Sequence, residues 1–358
     1  MASTMIAQVD CGRLGQMSHG RVENDRIEGT FGSADLAAGI IGCSKGAASL
    51  PDQPKLDLGL ETANRRAIQA SVGKIGKPWT RADRKHFLLW VVIALIVPTV
   101  LVFGLHLARS RSEMAVRTDL PVKGTLAVFA ALATVIVARV EKRPLSDYGI
   151  PLRQAFGLKF WEGMIWGFSL LSFILLALRS GGFFRVESFG IPKAQFFRWA
   201  LGWGATFLAV SFHEELTFRG YWLFMMSRRL NFWRAALMMS VVFGAAHLGN
   251  HGENIIGIIH VFATGLLFCL MIRRTGTLWF AIGYHAAWDW AETFFYGTPD
   301  SGLLGVGRFL NSSVHGPGWI TGGSAGPEGS LVSVVALVLC AALIHLRFPN
   351  PIYPDRPA

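Results

Sequence analysis

The chain has 358 residues, of which 52% are hydrophobic and only 16% charged, with a net charge of +11. A soluble domain is nearer one-quarter charged, so this composition excludes an ordinary globular protein and describes a polytopic membrane protein. In that setting the basic excess sets topology and attracts anionic lipid, and no nucleic-acid partner is expected.

Residues 1–85 mix Gly, Ser, Ala and charge without sustained periodicity and read as a poorly ordered cytosolic tail. Met1 to Asp10 lacks an apolar run, so no cleavable signal peptide is expected. A basic collar that includes Lys77, Arg81 and Arg84 precedes the first span, His86 to Ala108, which Pro98 should kink. Further spans are expected near 122–138, 161–178 (ending at Gly181-Gly182), 196–222, 235–248, 255–272, 277–295 and 331–346. The fold class is therefore all-α, with about eight transmembrane helices over 86–346 and a C-terminal tail at 347–358. A Gly/Pro-rich loop, Gly297 to Glu328, separates the last two spans. Even span number places both termini on one side. The Lys and Arg excess in the loops on that side makes it cytosolic, in the inner or plasma membrane. Cys11, Cys43, Cys269 and Cys340 are scattered and offer neither a disulfide framework nor a thiolate metal site.

Three apolar segments carry polar pairs at helical spacing. In Ser211–Trp222, Glu215 and Arg219 are four residues apart and suited to an ion pair. Glu214 lies about 100° round the helix and is free to face something else. Phe243 and His247 share a face over small residues, and so do His285 and Asp289. Charged groups at membrane depth cost roughly 2.5–3.5 kcal/mol each on insertion scales, so they should pair, line a wet cavity or do chemistry. Glu, His, His and Asp from three helices suit hydrolysis. A desolvated carboxylate can act as general base, and an imidazole can hold water or donate to an oxyanion. The same residues, Glu214, His247, His285 and Asp289, could instead hold a divalent metal such as zinc with an open position for water. His213-Glu214 does not begin an HExxH motif, because Thr217 stands at the second ligand position. His260 is the first candidate for a further site member, although helix–helix hydrogen bonding is the commoner role for such a histidine.

Glu-Glu-x-x-x-Arg, Phe-x-x-x-His and His-x-x-x-Asp, in this order and each in its own apolar segment, resemble the CPBP intramembrane proteases. These include the type II CAAX prenyl endopeptidases and bacterial Abi-like proteins related to bacteriocin self-immunity. The resemblance covers about Leu126 to Asp289, within a protease core at about 122–295, and extends to Gly322–Gly329. It implies that Glu214 activates the hydrolytic water and that His247 stands beside it. It implies a mainly structural role for Glu215 and Arg219, and a place in the site wall for Phe243. His285 and Asp289 would stabilise the oxyanion or complete the polar site. The family usually has Asn at the last position. An ionised Asp289 donates no hydrogen bond and would orient His285 instead. The expected activity is an intramembrane, cytosol-facing endopeptidase acting on a membrane-tethered or lipid-modified peptide, metal-assisted or metal-free. Rival readings are a non-catalytic scaffold or immunity protein of the same fold, and a proton-coupled transporter, which would show an internal repeat. A bis-histidine haem site on His247 and His285 is a third, without any haem-attachment motif to support it.

Overall fold

The computed structural model describes residues 80–102, 120–250 and 252–353. The expected tail therefore lies mostly outside the described residues, as do Cys11, Cys43, His251 and positions 103–119. Helix α1, Arg81–Val102, starts earlier than the expected span. The reason is a reciprocal cap: the Thr80 side chain accepts from the Asp83 N–H while the Asp83 carboxylate accepts from the Thr80 N–H. Its wide turn at Val92–Ile96 lies where Pro98 can offer no N–H to the preceding turn.

α2 spans Leu120–Val140 and α3 spans Leu158–Ser180. α4 runs over Phe196–Glu215, continues through π-helical turns at Leu216–Tyr221, and ends in Trp222–Ser227. α5 is Phe232–Ala246 and α6 is Ile255–Thr275. α7 covers Leu278–Asp289 and widens into π turns at Trp290–Tyr296, and α8 is Leu331–Arg347. Every expected span thus overlaps helix, but among the described residues only α1, α2, α3 and α6 are long and apolar enough to cross a membrane by themselves. The expectation of eight spans is not met on that criterion. α5 has 15 residues, about 22 Å at 1.5 Å per residue, against a hydrocarbon core of about 30 Å. α4 carries charge and a non-helical Gly220.

The fold is mostly helical, as expected, with one two-stranded ribbon added to it. β1, Phe184–Phe189, pairs antiparallel with β2, Leu310–Val314, across a bulge between Val186 and Ser188. The loop after α7 is thereby tied to the end of α3. Strands this short, in mixed polar surroundings, give no readable alternation. The tail at 347–358 is likewise not loose where it is described. Ile352 and Tyr353 donate backbone N–H bonds to the Arg273 carbonyl, and the Tyr353 ring packs on Phe224 and Phe232.

Two ends of the bundle differ in chemistry. At one, Glu141 gathers Arg143, Arg228, His86 and the hydroxyls of Tyr148 and Tyr221. Arg273, Arg274 and Arg347 lie at this same end, bonded to the C-terminal segment or to Glu162. The opposite end carries the β ribbon and the loop between α7 and α8. Asn254 caps α6 there and donates to the Gly322 and Gly329 carbonyls.

The tightest packing places α7. A Cβ at Gly163 would overlap the Phe280 carbonyl oxygen, one at Gly167 the Tyr284 carbonyl, and one at Gly283 the Phe160 carbonyl. Gly163-x-x-x-Gly167 on α3 and Gly283 on α7 therefore bring two backbones together, as small residues do in membrane helix pairs. His285 and Asp289 sit on the helix so fixed.

Candidate active site

α4, α5 and α7 bring the three sequence pairs to one place. Arg219 and Glu215 form an ion pair of 3.0 Å, and both side chains are fully buried. The guanidinium also lies 3.9 Å from the centre of the Phe243 ring, with Phe268 and Phe218 further round it. Phe243 thus holds the arginine and, through an edge-on contact of 4.6 Å between ring centres, the imidazole of His247. Room for this arrangement comes from Gly265 on α6, where a Cβ would press on Ser240 and the Arg219 guanidinium.

Glu214 and Glu215 diverge as the 100° offset requires. Glu215 is committed, because one oxygen receives both Arg219 and, at 3.0 Å, the Nδ1 of His285. Its expected role as mere scaffold within α4 is therefore too narrow: it also fixes the ring of α7. Glu214 is part-exposed, and its Oε2 lies 3.8 Å from His285 Nε2. That same Nε2 is 3.4 Å from Asp289 Oδ2. His285 is ringed by three carboxylates from two helices. Only an imidazolium donates from both nitrogens. His247 Nδ1 lies 2.8 Å from the Phe243 carbonyl oxygen, which can only accept. Nδ1 is thus the donor in this contact, and Nε2 is the ring nitrogen left for another partner.

π-helical turns follow directly after Glu215 on α4 and Asp289 on α7. Such turns shift the phase of the side chains and recur at functional sites.

Two neighbours, Lys123 and Glu328, were not singled out in the sequence, and His213 was considered only as the start of an absent HExxH motif. Lys123, near the start of α2, and His213 both lie within electrostatic reach of Glu214, as do His285 and His247. A lysine early in an apolar helix would have been the signal for the first. Glu328 accepts from the Trp288 indole at 3.0 Å. His260 stacks near Trp288, 5.7 Å between ring centres, and its ring nitrogens have no hydrogen-bond partner among the described residues. It does not join the Glu214 group.

The zinc reading can be tested on the donors. A tetrahedral ion at about 2.0–2.2 Å needs its ligand atoms within some 3.5 Å of each other. His285 Nε2 approaches Glu214 and Asp289 separately, but no three of Glu214, His247, His285 and Asp289 bring ligand atoms within 4.8 Å of one another. Among the described residues, the three-donor group within 4.8 Å is Glu292, Asp300 and Glu328. The expected donor set, as arranged, does not fit a zinc ion.

His247 ends α5 on the side away from Arg228, Arg229 and Arg234, toward the loop between α7 and α8.

Residues 196–291 match the family described as Type II CAAX prenyl endopeptidase Rce1-like. This segment is similar to that family. The match bears out the resemblance drawn from the motifs, and it spans α4 to α7 with all seven residues of the predicted site. No curated protein matches the chain. The Rce1-like family is one of membrane proteases, and the apolar helices agree with a membrane protein.

Proposed function

We propose that the protein is an intramembrane endopeptidase that cleaves a peptide bond in a membrane-tethered or lipid-modified chain, with Glu214 activating the water. The observation that carries this reading is the division of labour between adjacent glutamates. Glu215 is consumed by Arg219 and His285, whereas Glu214 keeps an oxygen free beside a histidine.

In the reaction, water attacks the peptide carbonyl carbon. Glu214 takes one water proton and later delivers it to the leaving amine nitrogen. His247 accepts the other water hydrogen at Nε2 and so fixes the direction of attack. His285, held at Nδ1 by Glu215, presents its Nε2 proton to the oxyanion. Before substrate binds, that Nε2 proton faces Asp289, which orients the ring and gives the proton up to the oxyanion as its charge develops, the role expected of an acid where the family usually has Asn. The reading is metal-free. The partners are membrane lipids, attracted by the basic end, and a peptide whose membrane anchor delivers it to the site. With the basic end in the cytosol, both termini are cytosolic and the substrate bond is presented from the other face.

The test compares the full-length protein with Glu214→Gln on a panel of membrane-tethered peptides. Loss of about 10²–10⁴-fold in rate is expected for a general base. Equal cleavage by both would remove Glu214 from the chemistry. Full activity after exhaustive chelation is expected, and loss restored by zinc would reinstate a metal. A fold-retaining but inactive scaffold would cleave nothing in either form.

A further inference from the structure

Behind Asp289 lies a second acidic cluster, entirely outside the matched segment. Glu292 on the π turns of α7, Asp300 in the following loop and Glu328 just before α8 each bring a carboxylate oxygen within 4.8 Å of the other two. The three are widely separated in sequence, and nothing in the peptidase chemistry above uses them.

Clustering of acids alone would mean little. The second observation is Glu292 itself. Its side chain is fully buried, and neither carboxylate oxygen has a hydrogen-bond partner among the described residues. It is one of the three donors aimed at the shared point. An unpaired buried carboxylate is expensive, and two like charges beside it make it more so. Its companions are held in place from behind. Ser301 donates to Glu328 at 2.9 Å, Trp288 donates to the other Glu328 oxygen at 3.0 Å, and Thr293 donates to Asp300 at 3.2 Å. Each contact orients a carboxylate and leaves further lone pairs for a ligand.

We propose that Glu292, Asp300 and Glu328 form a binding site for a divalent hard cation, calcium by its ligand chemistry. All donors are oxygens, which excludes the nitrogen and sulfur preference of zinc. Calcium takes six to eight oxygens in flexible geometry, drawing the remainder from carbonyls, hydroxyls and water, whereas magnesium demands a near-ideal octahedron. The cluster sits at the end of the bundle opposite the basic loops, which positive-inside orientation turns away from the cytosol. A bound ion would join α7, the loop and the start of α8, and would place positive charge one helical turn from Asp289.

The test uses full-length protein in detergent with terbium as the probe, because the Trp288 indole beside Glu328 is a ready sensitiser. Trp288-sensitised terbium emission should appear, calcium should displace it with a dissociation constant of about 10⁻⁴–10⁻³ M, as for extracellular sites, and magnesium should compete more weakly. Trp288→Phe should remove the emission, and Glu292→Gln and Asp300→Asn should each weaken calcium at least tenfold. Calcium at constant ionic strength should raise the unfolding temperature of the wild type and not of Glu292→Gln. The opposite pattern overturns the proposal: no saturable terbium signal, with Glu292→Gln more heat-stable than the wild type whether or not calcium is present. That result would mean the three acids share protons. Preferential displacement by magnesium would overturn the calcium assignment.

Discussion

Removing Arg219 should unfold the site from within. Its pairing with Glu215 is fully buried on both sides, with a nitrogen–oxygen distance of 3.0 Å. With charge centres about 4 Å apart and an effective dielectric near 20, the attraction is about 4 kcal/mol. Arg219→Met leaves the Glu215 carboxylate buried beside His285 with one partner gone, and breaking such a pair typically costs about 3–5 kcal/mol. Methionine fits the aromatic surroundings formed by Phe243 and Phe268, so volume is not the issue. Glu215→Gln alone should cost a comparable amount by stranding the guanidinium. The double variant should recover much of the loss, because neither charge is then left without its counterpart. Reversible unfolding in detergent would give the three free energies and hence the coupling. Additive effects, within about 0.5 kcal/mol, would refute the view that the pair acts as a unit.

Helix packing offers a sharper contrast. Gly167→Ala puts a methyl group into the Tyr284 carbonyl and should displace α7, lowering both stability and cleavage, whereas Gly124→Ala, with open space around it, should leave both intact. Cleavage and melting of the two variants side by side would show whether the α3–α7 contact sets the site. At Gly265 a Cβ would press on Ser240 and Arg219, so Gly265→Ala should lower stability by about 1–3 kcal/mol, the usual range for overpacking, read in the same unfolding assay. Asp147, in the connector between α2 and α3, has its carboxyl pushed up by burial even though Arg143 bonds it. Its folded form therefore holds a proton more tightly than the unfolded chain. Stability relative to Asp147→Asn should fall as pH rises from about 4 through the raised value. Parallel pH profiles for the two proteins would contradict this.

Local pairs were legible in the sequence because helical spacing alone creates them. Glu215 with Arg219, Phe243 with His247, and His285 with Asp289 are each four residues apart, and each pair meets in the structure. What spacing cannot give is which helix faces which. The bond from His285 to Glu215 crosses from α7 to α4, and it turns a residue expected to be scaffold into the one that orients His285. Lys123 was missed for the same reason, since its neighbours come from other helices. Gly163 and Gly167 form a visible small-residue repeat, but only its partner Gly283 gives the repeat a purpose. Membrane topology was less legible still. Hydropathy marks where helices are, whereas a short α5 and a charged, bent α4 change how far each can reach.

The same division explains why the two acidic groups look so different on the page. Glu214 and Glu215 sit inside one turn of helix, where a motif can declare them. Glu292, Asp300 and Glu328 become neighbours only when the loop after α7 folds back and Glu328 comes to rest against Trp288. Yet one signal was present. Glu292 follows Asp289 by three residues, so it lies one turn further along the face that carries His285. A second acid at that depth has no counterpart within its own helix, as Glu215 has in Arg219. Its compensation must therefore come from elsewhere in the fold. Two further carboxylates cannot supply it, and a cation between the three can.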